Sequence, residues 1–413
     1  MNPITSVYDL EAMARRRLPH VIFDYVHGGS GRELTLQRNE HDLCALALRQ
    51  HDMRDVSHRN MKVQMVGDSA EIPLAIGPTG LAGLTWANGE VEAAKAAEQF
   101  GVPYCLSTMS ICSIEDVAEA TDRPFWFQLY LMKEHKVNES LVRRAHDAGC
   151  SALVLTLDLH VQGKRWADAK NGLAVPPRLT LHNSMDILSH PRWLLSMAKS
   201  RRRTFGNLQG EVKQAKHLKA LTQWIEAQFD PSFDTETVKW VRRIWDRKLI
   251  LKGIMHVDDA RLAVDLGADA IIVSNHGGRQ LDGAPSSISV LPEIADAVRH
   301  RIEVFFDGGI RTGSDIVKAM GYGAHACLSG RAWLYGLAAQ GKDGVLCALT
   351  LLRDELSDCM ALAGLQDVCE MPEDVVTAQP PLAAPGHHPF AQPSAYGGRS
   401  RGDGGGATGA YPT

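Results

Sequence analysis

The sequence predicts a (β/α)8 TIM barrel with a helical segment before it and a long insertion after the fourth strand. Three observations lead there. Eight short, nearly continuous apolar runs follow one another along the chain, the pattern of parallel strands covered on both faces. Stretches with helical spacing separate them, several stopping at a glycine. Each run ends among polar residues or glycines, the end at which barrels of this type carry their chemistry.

In chain order, about sixty residues precede the barrel, with a helix-like stretch at Val7–Arg17. The runs then come at Ile72–Gly77, Val102–Ser107, Phe125–Tyr130 and Ala152–Leu157, and after a gap at Leu249–Gly253, Asp269–Ser274, Val304–Gly308 and Ala324–Ser329. Helices are expected at Gly89–Phe100, Leu141–Gly149 and Asp258–Gly267. Strand–helix alternation of this kind closes a parallel barrel. Residues 176–234 are too long for a βα loop and read as an insertion with some helix of its own. Residues 1–382 form the barrel domain. The tail 383–413 is rich in Gly, Pro and Ser, and such a composition buries too little apolar surface to order itself.

Composition narrows the function classes. The chain has 413 residues, 45% hydrophobic and 22% charged, which are globular values. A formal net charge of -4 supplies no field for nucleic acid. Eight scattered cysteines without a CxxC pair argue against a disulfide scaffold or zinc ribbon and for a reducing, cytoplasmic setting. No metal site is expected. The start, MNPITSVYDLEAMARRR, carries acids and no long apolar core, unlike a secretory signal. No apolar stretch is long enough to span a bilayer.

The strand ends hold the candidate site. They are Pro78-Thr79-Gly80, Ser107-Thr108, Gln128 with Tyr130, Thr156 with Asp158 and then Arg165, Lys252, Ser274 through Gln280, Asp307-Gly308-Gly309-Ile310-Arg311, and Gly330-Arg331. Strands seven and eight form the usual phosphate site of such barrels, where glycines admit an anion to backbone N–H groups. Arg311 and Arg331 could pair with its oxygens. The plainer alternative is that these glycines only make tight turns. His276 and Arg279 stand three residues apart directly after the sixth strand. Histidine is the natural base near neutral pH, and arginine grips a carboxylate bidentately. A base beside a carboxylate clamp suits chemistry on a 2-hydroxy acid. Asp158 could hold the imidazolium.

SNHGGRQLDG, together with GPTG, FWFQLY, LTLDLHVQGKR, ILKG and FDGGIRTGSD, resembles the FMN-dependent 2-hydroxy acid dehydrogenase and oxidase family over roughly Tyr8 to Gly364. The resemblance implies FMN as cofactor and a role for each matching position. His276 is the base and Asp158 its partner. Arg279 and Arg165 hold the substrate carboxylate, helped by Tyr25, and Tyr130 hydrogen-bonds the substrate oxygen. Lys252 stabilises the reduced flavin. Pro78, Thr79, Gly80, Ser107, Gln128, Thr156 and Ser274 line the ring and ribityl chain. Asp307, Gly308, Gly309, Arg311, Gly330 and Arg331 take the ribityl tail and phosphate. Two positions depart from the family pattern. His160 stands where a proline is common, and Met109 where plant oxidases carry tryptophan. No cytochrome domain is expected before the barrel.

LSTMSICSIEDVA, AGCSALVLTLD and VSNHGGRQLDGAPSS are most similar to the bacterial respiratory L-lactate dehydrogenases and their mandelate relatives. That likeness implies oxidation of an L-2-hydroxy acid, foremost L-lactate, with electrons passed to quinone, and a homotetramer. HPRWLLSMAKSRRR at 190–203 mixes large apolar and basic residues, as an interfacial helix on anionic lipid does. An ordinary solvated loop packing two apolar residues on the barrel is the other reading. Gly80 leaves room beside the flavin face for a substrate larger than glycolate. A soluble oxidase using oxygen, a mandelate-type dehydrogenase and a non-catalytic phosphate-binding barrel remain as alternatives.

Overall fold

Eight parallel strands form where aliphatic and aromatic residues run without interruption: β1 Leu74–Ile76, β2 Cys105–Ser107, β3 Trp126–Tyr130, β4 Ala152–Thr156, β5 Lys248–Ile254, β6 Ala270–Val273, β7 Glu303–Asp307 and β8 Ala326–Ser329. In this computed structural model the described residues are 3–171, 181–202, 204–211, 224 and 227–378. The strands pair in the order β1-β8-β7-β6-β5-β4-β3-β2, and a parallel bridge between Ile76 and Tyr104 closes the ring. Every residue of β1, β2, β4, β6 and β8 is buried, as sheets covered on both faces require. All eight expected strands are present, most of them trimmed by a residue or two at one end or both.

Register carries the site. Tyr130 pairs with Thr156, Thr156 with Lys252 and Lys252 with Ile272. Three of the predicted site residues therefore stand in one row at the C-terminal end of the barrel. Ser107 pairs with Gln128 in the same way.

The helices are α1 Val7–Arg17, α2 His20–His27, α3 Leu34–Cys44, α4 Gly89–Phe100, α5 Ile114–Ala118, α6 His135–Asp147, α7 Trp166–Lys170, α8 Leu181–Leu188, α9 Pro191–Ala198, α10 Thr235–Ile244, α11 Val257–Asp265, α12 Ser287–Val298, α13 Gly313–Gly321, α14 Arg331–Gln340 and α15 Lys342–Ala363. Helix α1 spans the stretch expected of it. A capping box of Ser6 and Asp9 opens it and three arginines close it, so both ends suit the helix dipole. Helix α6 begins six residues before the expected Leu141. Its buried face starts at Val137, a lone apolar residue in a polar stretch that carries no periodic signal. Helix α4 stops at Gly101, which turns at φ +90°. The segment α1–α3 packs over the loops that follow β6 and β8. Thr35 Oγ1 donates to Leu281 O, and Ser30 N donates to Gly278 O.

The insertion is partly built into the barrel. Trp193, Phe205, Leu208 and Asn207 are buried, and Arg202 pairs with Asp116 of α5. The parts at 172–180 and 212–223, and the tail 383–413 with its expected disorder, lie outside the described residues. Among the described residues no helix is long and apolar enough to cross a membrane.

Candidate active site

Strand β6 is wholly apolar through Val273. The chain then turns through three successive residues at positive φ: His276 at +60°, Gly277 at +62° and Gly278 at +73°. Glycine takes this conformation freely, whereas histidine is strained there by about 1–2 kcal/mol. The strain is held by a buried amide pair. Asn39 Nδ2 donates to Asn275 Oδ1 at 2.8 Å, and Asn275 Nδ2 returns a bond to Asn39 Oδ1 at 2.7 Å. Asn275 Oδ1 also accepts from Gly278 N, and Ser274 Oγ accepts from His276 N. The sequence reading missed Asn39. It sits on α3, more than two hundred positions from its partner, and no local pattern marks it.

The His276 ring is fixed at both nitrogens. Nδ1 lies 2.8 Å from Asp158 Oδ1, and Nε2 lies 3.2 Å from Tyr130 Oη. Burial pushes the Asp158 carboxyl up, but His276, Lys252 and a backbone hydrogen bond together outweigh it, and the group rests below the usual carboxylate range. Asp158 thus stays ionised and accepts from Nδ1–H, which makes Nε2 the acceptor that faces Tyr130 Oη. Gln280 keeps the pair in place, donating from Nε2 to Asp158 O at 2.7 Å and to Val161 O at 3.0 Å. Burial, and then Asp158, raise the Tyr130 phenol, so it remains a neutral donor.

Lys252, Ser274 and Asp307 form a second buried group. Lys252 Nζ lies 2.8 Å from both Ser274 Oγ and Asp307 Oδ2, and Ser274 Oγ donates to Asp307 Oδ2 at 2.7 Å. Burial opposes charge on both ends, yet the pairing wins: the lysine is raised and the aspartate lowered. A fixed cation sits at the strand ends.

Three predicted residues, Tyr25, Arg165 and Arg279, gather at one place. The Arg279 guanidinium lies 5.0 Å from the centre of the Tyr25 ring, and Arg165 lies 5.6 Å from it. Arg279 Nη1 donates to Tyr25 O and Gly28 O. Burial, then Arg165, lower Arg279 to about 10, so it is still a cation at neutral pH. Arg165 pairs with Asp168 at 3.3 Å while its Nε has no partner.

The glycines at the ends of β7 and β8 differ in their surroundings. Gly308 and Gly309 turn at φ +135° and +90°, and a Cβ on them would stand 2.3 Å from Ser287 Oγ and 2.4 Å from Asn39 O. Backbone shape and close packing account for both. Gly330 is different, because a Cβ there meets nothing within 4 Å. Arg311 pairs with Glu40 at 2.7 Å, and Arg331 donates to His27 O, Gly28 O and Gly277 O. Half-buried His27, beside Tyr335 Oη at 2.8 Å, is lowered to about 3, chiefly by burial and then by Arg331. Neither Glu40 nor His27 was marked by the sequence reading.

A profile described as FMN-dependent dehydrogenase matches residues 14–378. The chain belongs to the FMN-dependent dehydrogenase family. It is 40% identical over 372 residues to an L-lactate dehydrogenase of Yersinia pestis (strain Pestoides F), covering 90% of this chain and 97% of that one. Among solved structures it resembles the monotopic membrane protein (S)-mandelate dehydrogenase, with TM-score 0.87 and 36% identity over 92% of this chain and 100% of that one. A mandelate oxidase gives TM-score 0.76 and 40% identity over 89% of this chain and 96% of that one. For an FMN-dependent dehydrogenase the residues present fit the cofactor. Thr79 Oγ1, Ser329 Oγ and Arg311 Nε are buried at the strand ends without a hydrogen-bond partner, and open space faces Gly330. Buried polar groups left unpaired are costly, and a polyhydroxylated phosphate ester offers partners to all three.

Proposed function

We propose that this FMN-dependent dehydrogenase oxidises an L-2-hydroxy acid, foremost L-lactate, to the 2-oxo acid and passes the electrons to a quinone. The observation that carries the reading is the Asp158–His276–Tyr130 array beside the Arg165/Arg279 pair, a positioned base next to a carboxylate clamp. Thr79, Gln128, Thr156, Ser274, Lys252 and the β7 and β8 ends would hold FMN, which supplies the two-electron acceptor when bound. The protein's part is binding, orientation and proton handling. Arg279 and Arg165 fix the substrate carboxylate through charge-assisted bonds. Tyr130 Oη holds the substrate oxygen and His276 Nε2 takes the proton. Asp158 stabilises the resulting imidazolium. The Lys252 ammonium supplies fixed positive charge where negative charge accumulates.

The acceptor reading draws on the insertion. Met185, Leu188 and Leu195 on α8 and α9 are 72%, 70% and 67% exposed, while Trp193 on the same segment is buried. Exposed Arg192, Lys199 and Arg201 flank them. Large apolar side chains with a basic fringe suit docking on anionic lipid, which would bring the chain to the inner face of the cell membrane and to its quinones. A homotetramer belongs to the same reading. A second reading, a soluble oxidase, is favoured by the likeness to mandelate oxidase. The deciding experiment bleaches the flavin anaerobically with a panel of 2-hydroxy acids, then reoxidises it with oxygen or a quinone analogue. Fast bleaching by L-lactate with preferential reoxidation by quinone is expected. Bleaching by no 2-hydroxy acid would overturn the proposal, and rapid reoxidation by oxygen would favour the oxidase.

A further inference from the structure

The insertion after β4 reaches back across the barrel, and one of its side chains ends inside the wall at the top of β2. Asn207 is fully buried. Its Nδ2 lies 2.9 Å from Ser110 Oγ, 3.1 Å from Ser107 O and 3.3 Å from Thr108 O, and its Oδ1 accepts from Ile114 N at 2.8 Å. The approach is close: a Cβ on the neighbouring Gly206 would stand 2.6 Å from Ile111 O. Arg144 clasps the same turn from the other side, donating to Asn207 O at 2.7 Å.

The contacts continue inward. Ser107 Oγ bonds Gln128 Oε1 at 3.1 Å, and Gln128 Nε2 donates to Thr156 Oγ1 at 2.9 Å. Thr108 Oγ1 donates to Gln128 O at 2.6 Å and accepts from Tyr130 N at 3.1 Å. A buried polar chain thus runs from the insertion to the row that holds Tyr130 and Thr156. From the barrel side, the buried carboxylate of Glu90 accepts from Gly83 N, Ile111 N and Cys112 N, tying the loops after β1 and β2 together. Asn207 is the matching tie from outside the repeating strand–helix units. An apolar residue would fill the space without the cost of burying an amide. What the amide adds is direction, since a fully satisfied buried network fixes one arrangement of its members.

We infer that Asn207 is a positioning residue of the flavin wall. Through it the insertion sets the placement of Ser107 and Thr108, and through them of Gln128 and Tyr130. The inference rests on the reading that Ser107, Gln128 and Thr156 line FMN. The insertion is then part of the active site as well as a candidate membrane contact, and excising it whole would cost more than lipid binding.

The test uses the full-length holoenzyme carrying Asn207→Asp or Asn207→Ala. The aspartate keeps the size and the acceptor for Ile114 N but has no hydrogens for the Ser107 and Thr108 carbonyls. Losing those bonds should weaken FMN binding about tenfold and alter the visible circular dichroism of bound FMN. The rate of flavin reduction should fall about 10–100-fold, with a smaller change in KM. Phe205→Ala is the comparison, since it removes a buried apolar anchor of the same segment; it should lower the melting temperature without moving the flavin signals. Both Asn207 variants keeping wild-type FMN affinity and visible dichroism, while melting earlier, would overturn the inference and leave Asn207 a packing residue. Should the alanine variant fail to fold, the aspartate variant carries the same readings. Wild-type protein that binds no FMN would overturn the cofactor reading itself, a distinct result.

Discussion

Replacing Lys252 by methionine should expose the electrostatics of the site through stability alone. The lysine side chain is 5% exposed and Asp307 16%, so the pair is almost dry. Removing one partner of such a pair and leaving the other charged costs about 3–5 kcal/mol. Unfolding entropy grows by about 2 cal/mol/K per residue, so for a chain of this size each kcal/mol shifts the midpoint by roughly 1 °C or a little more. Lys252→Met in flavin-free protein should therefore melt about 4–6 °C below wild type at pH 7.5. The pH dependence gives the sign. In wild type Asp307 is held below the usual carboxylate range, and the stability it contributes is present above that range. In the variant Ser274 and His276 still lower it, but with the charge and hydrogen bond of Lys252 gone, burial, the largest influence, prevails and its pKa rises above the unfolded value. An acid raised in the folded state loses stability as pH climbs through its folded pKa. The deficit should thus shrink on going from pH 7.5 to pH 5, where Asp307 can protonate. Differential scanning fluorimetry of both apoproteins across that range is the assay. A deficit under about 1 kcal/mol, or one unchanged with pH, would refute the argument that Lys252 and Asp307 form a charged buried pair.

Other perturbations separate the roles of neighbouring residues. Arg279→Lys keeps the charge but loses the planar fork, so the kcat/KM for L-lactate should fall about 10–100-fold, as steady-state kinetics would show. Gly308→Ala, at φ +135° and 2.3 Å from Ser287 Oγ, should destabilise by about 1–3 kcal/mol. Gly330→Ala, with open space around it, should leave stability near wild type and weaken FMN binding in a titration. Changing Met185, Leu188 and Leu195 together to serine should abolish pelleting with anionic liposomes at low salt and leave flavin reduction by L-lactate intact. His27 is held neutral, with its pKa lowered to about 3, so the unfolded chain binds its proton first. Stability should decline as pH falls from about 6.5, and His27→Asn should flatten that decline in denaturant titrations.

The fold and part of the site were legible in the sequence for the same reason: they sit on strands or in the turns just after them. A strand buried on both faces must be apolar along its length, and a polar residue at its end has no packing role, so Lys252, Gln128 and Thr156 stand out against their runs. His276 and Arg279 are marked by the glycines between them, which the turn at positive φ demands. What the sequence hid lies on helices and in the insertion. Asn39 and Glu40 sit in α3 as two polar residues on an ordinary amphipathic helix, and only the fold brings them to Asn275 and Arg311. Glu90 lies in the first turn of α4, where an acid is expected on dipole grounds alone, yet its carboxylate is buried against three backbone N–H groups. Asn207 belongs to a stretch whose length argued only for an insertion with some helix of its own. The sequence likewise did not mark the partners of Arg311 and Arg331, which are Glu40 and three backbone carbonyls, while Arg311 Nε is left without one.

The central claim is that His276, oriented by Asp158, takes the proton when a 2-hydroxy acid is oxidised. The most direct test is anaerobic stopped-flow reduction of the flavin by L-lactate in wild type and in His276→Gln, each shown beforehand to hold FMN. The account predicts that the variant still binds a substrate-like acid, because Arg165, Arg279 and Tyr25 are untouched, and that its flavin is reduced about 10²–10⁴-fold more slowly. Reduction of the variant at a rate near wild type would contradict it.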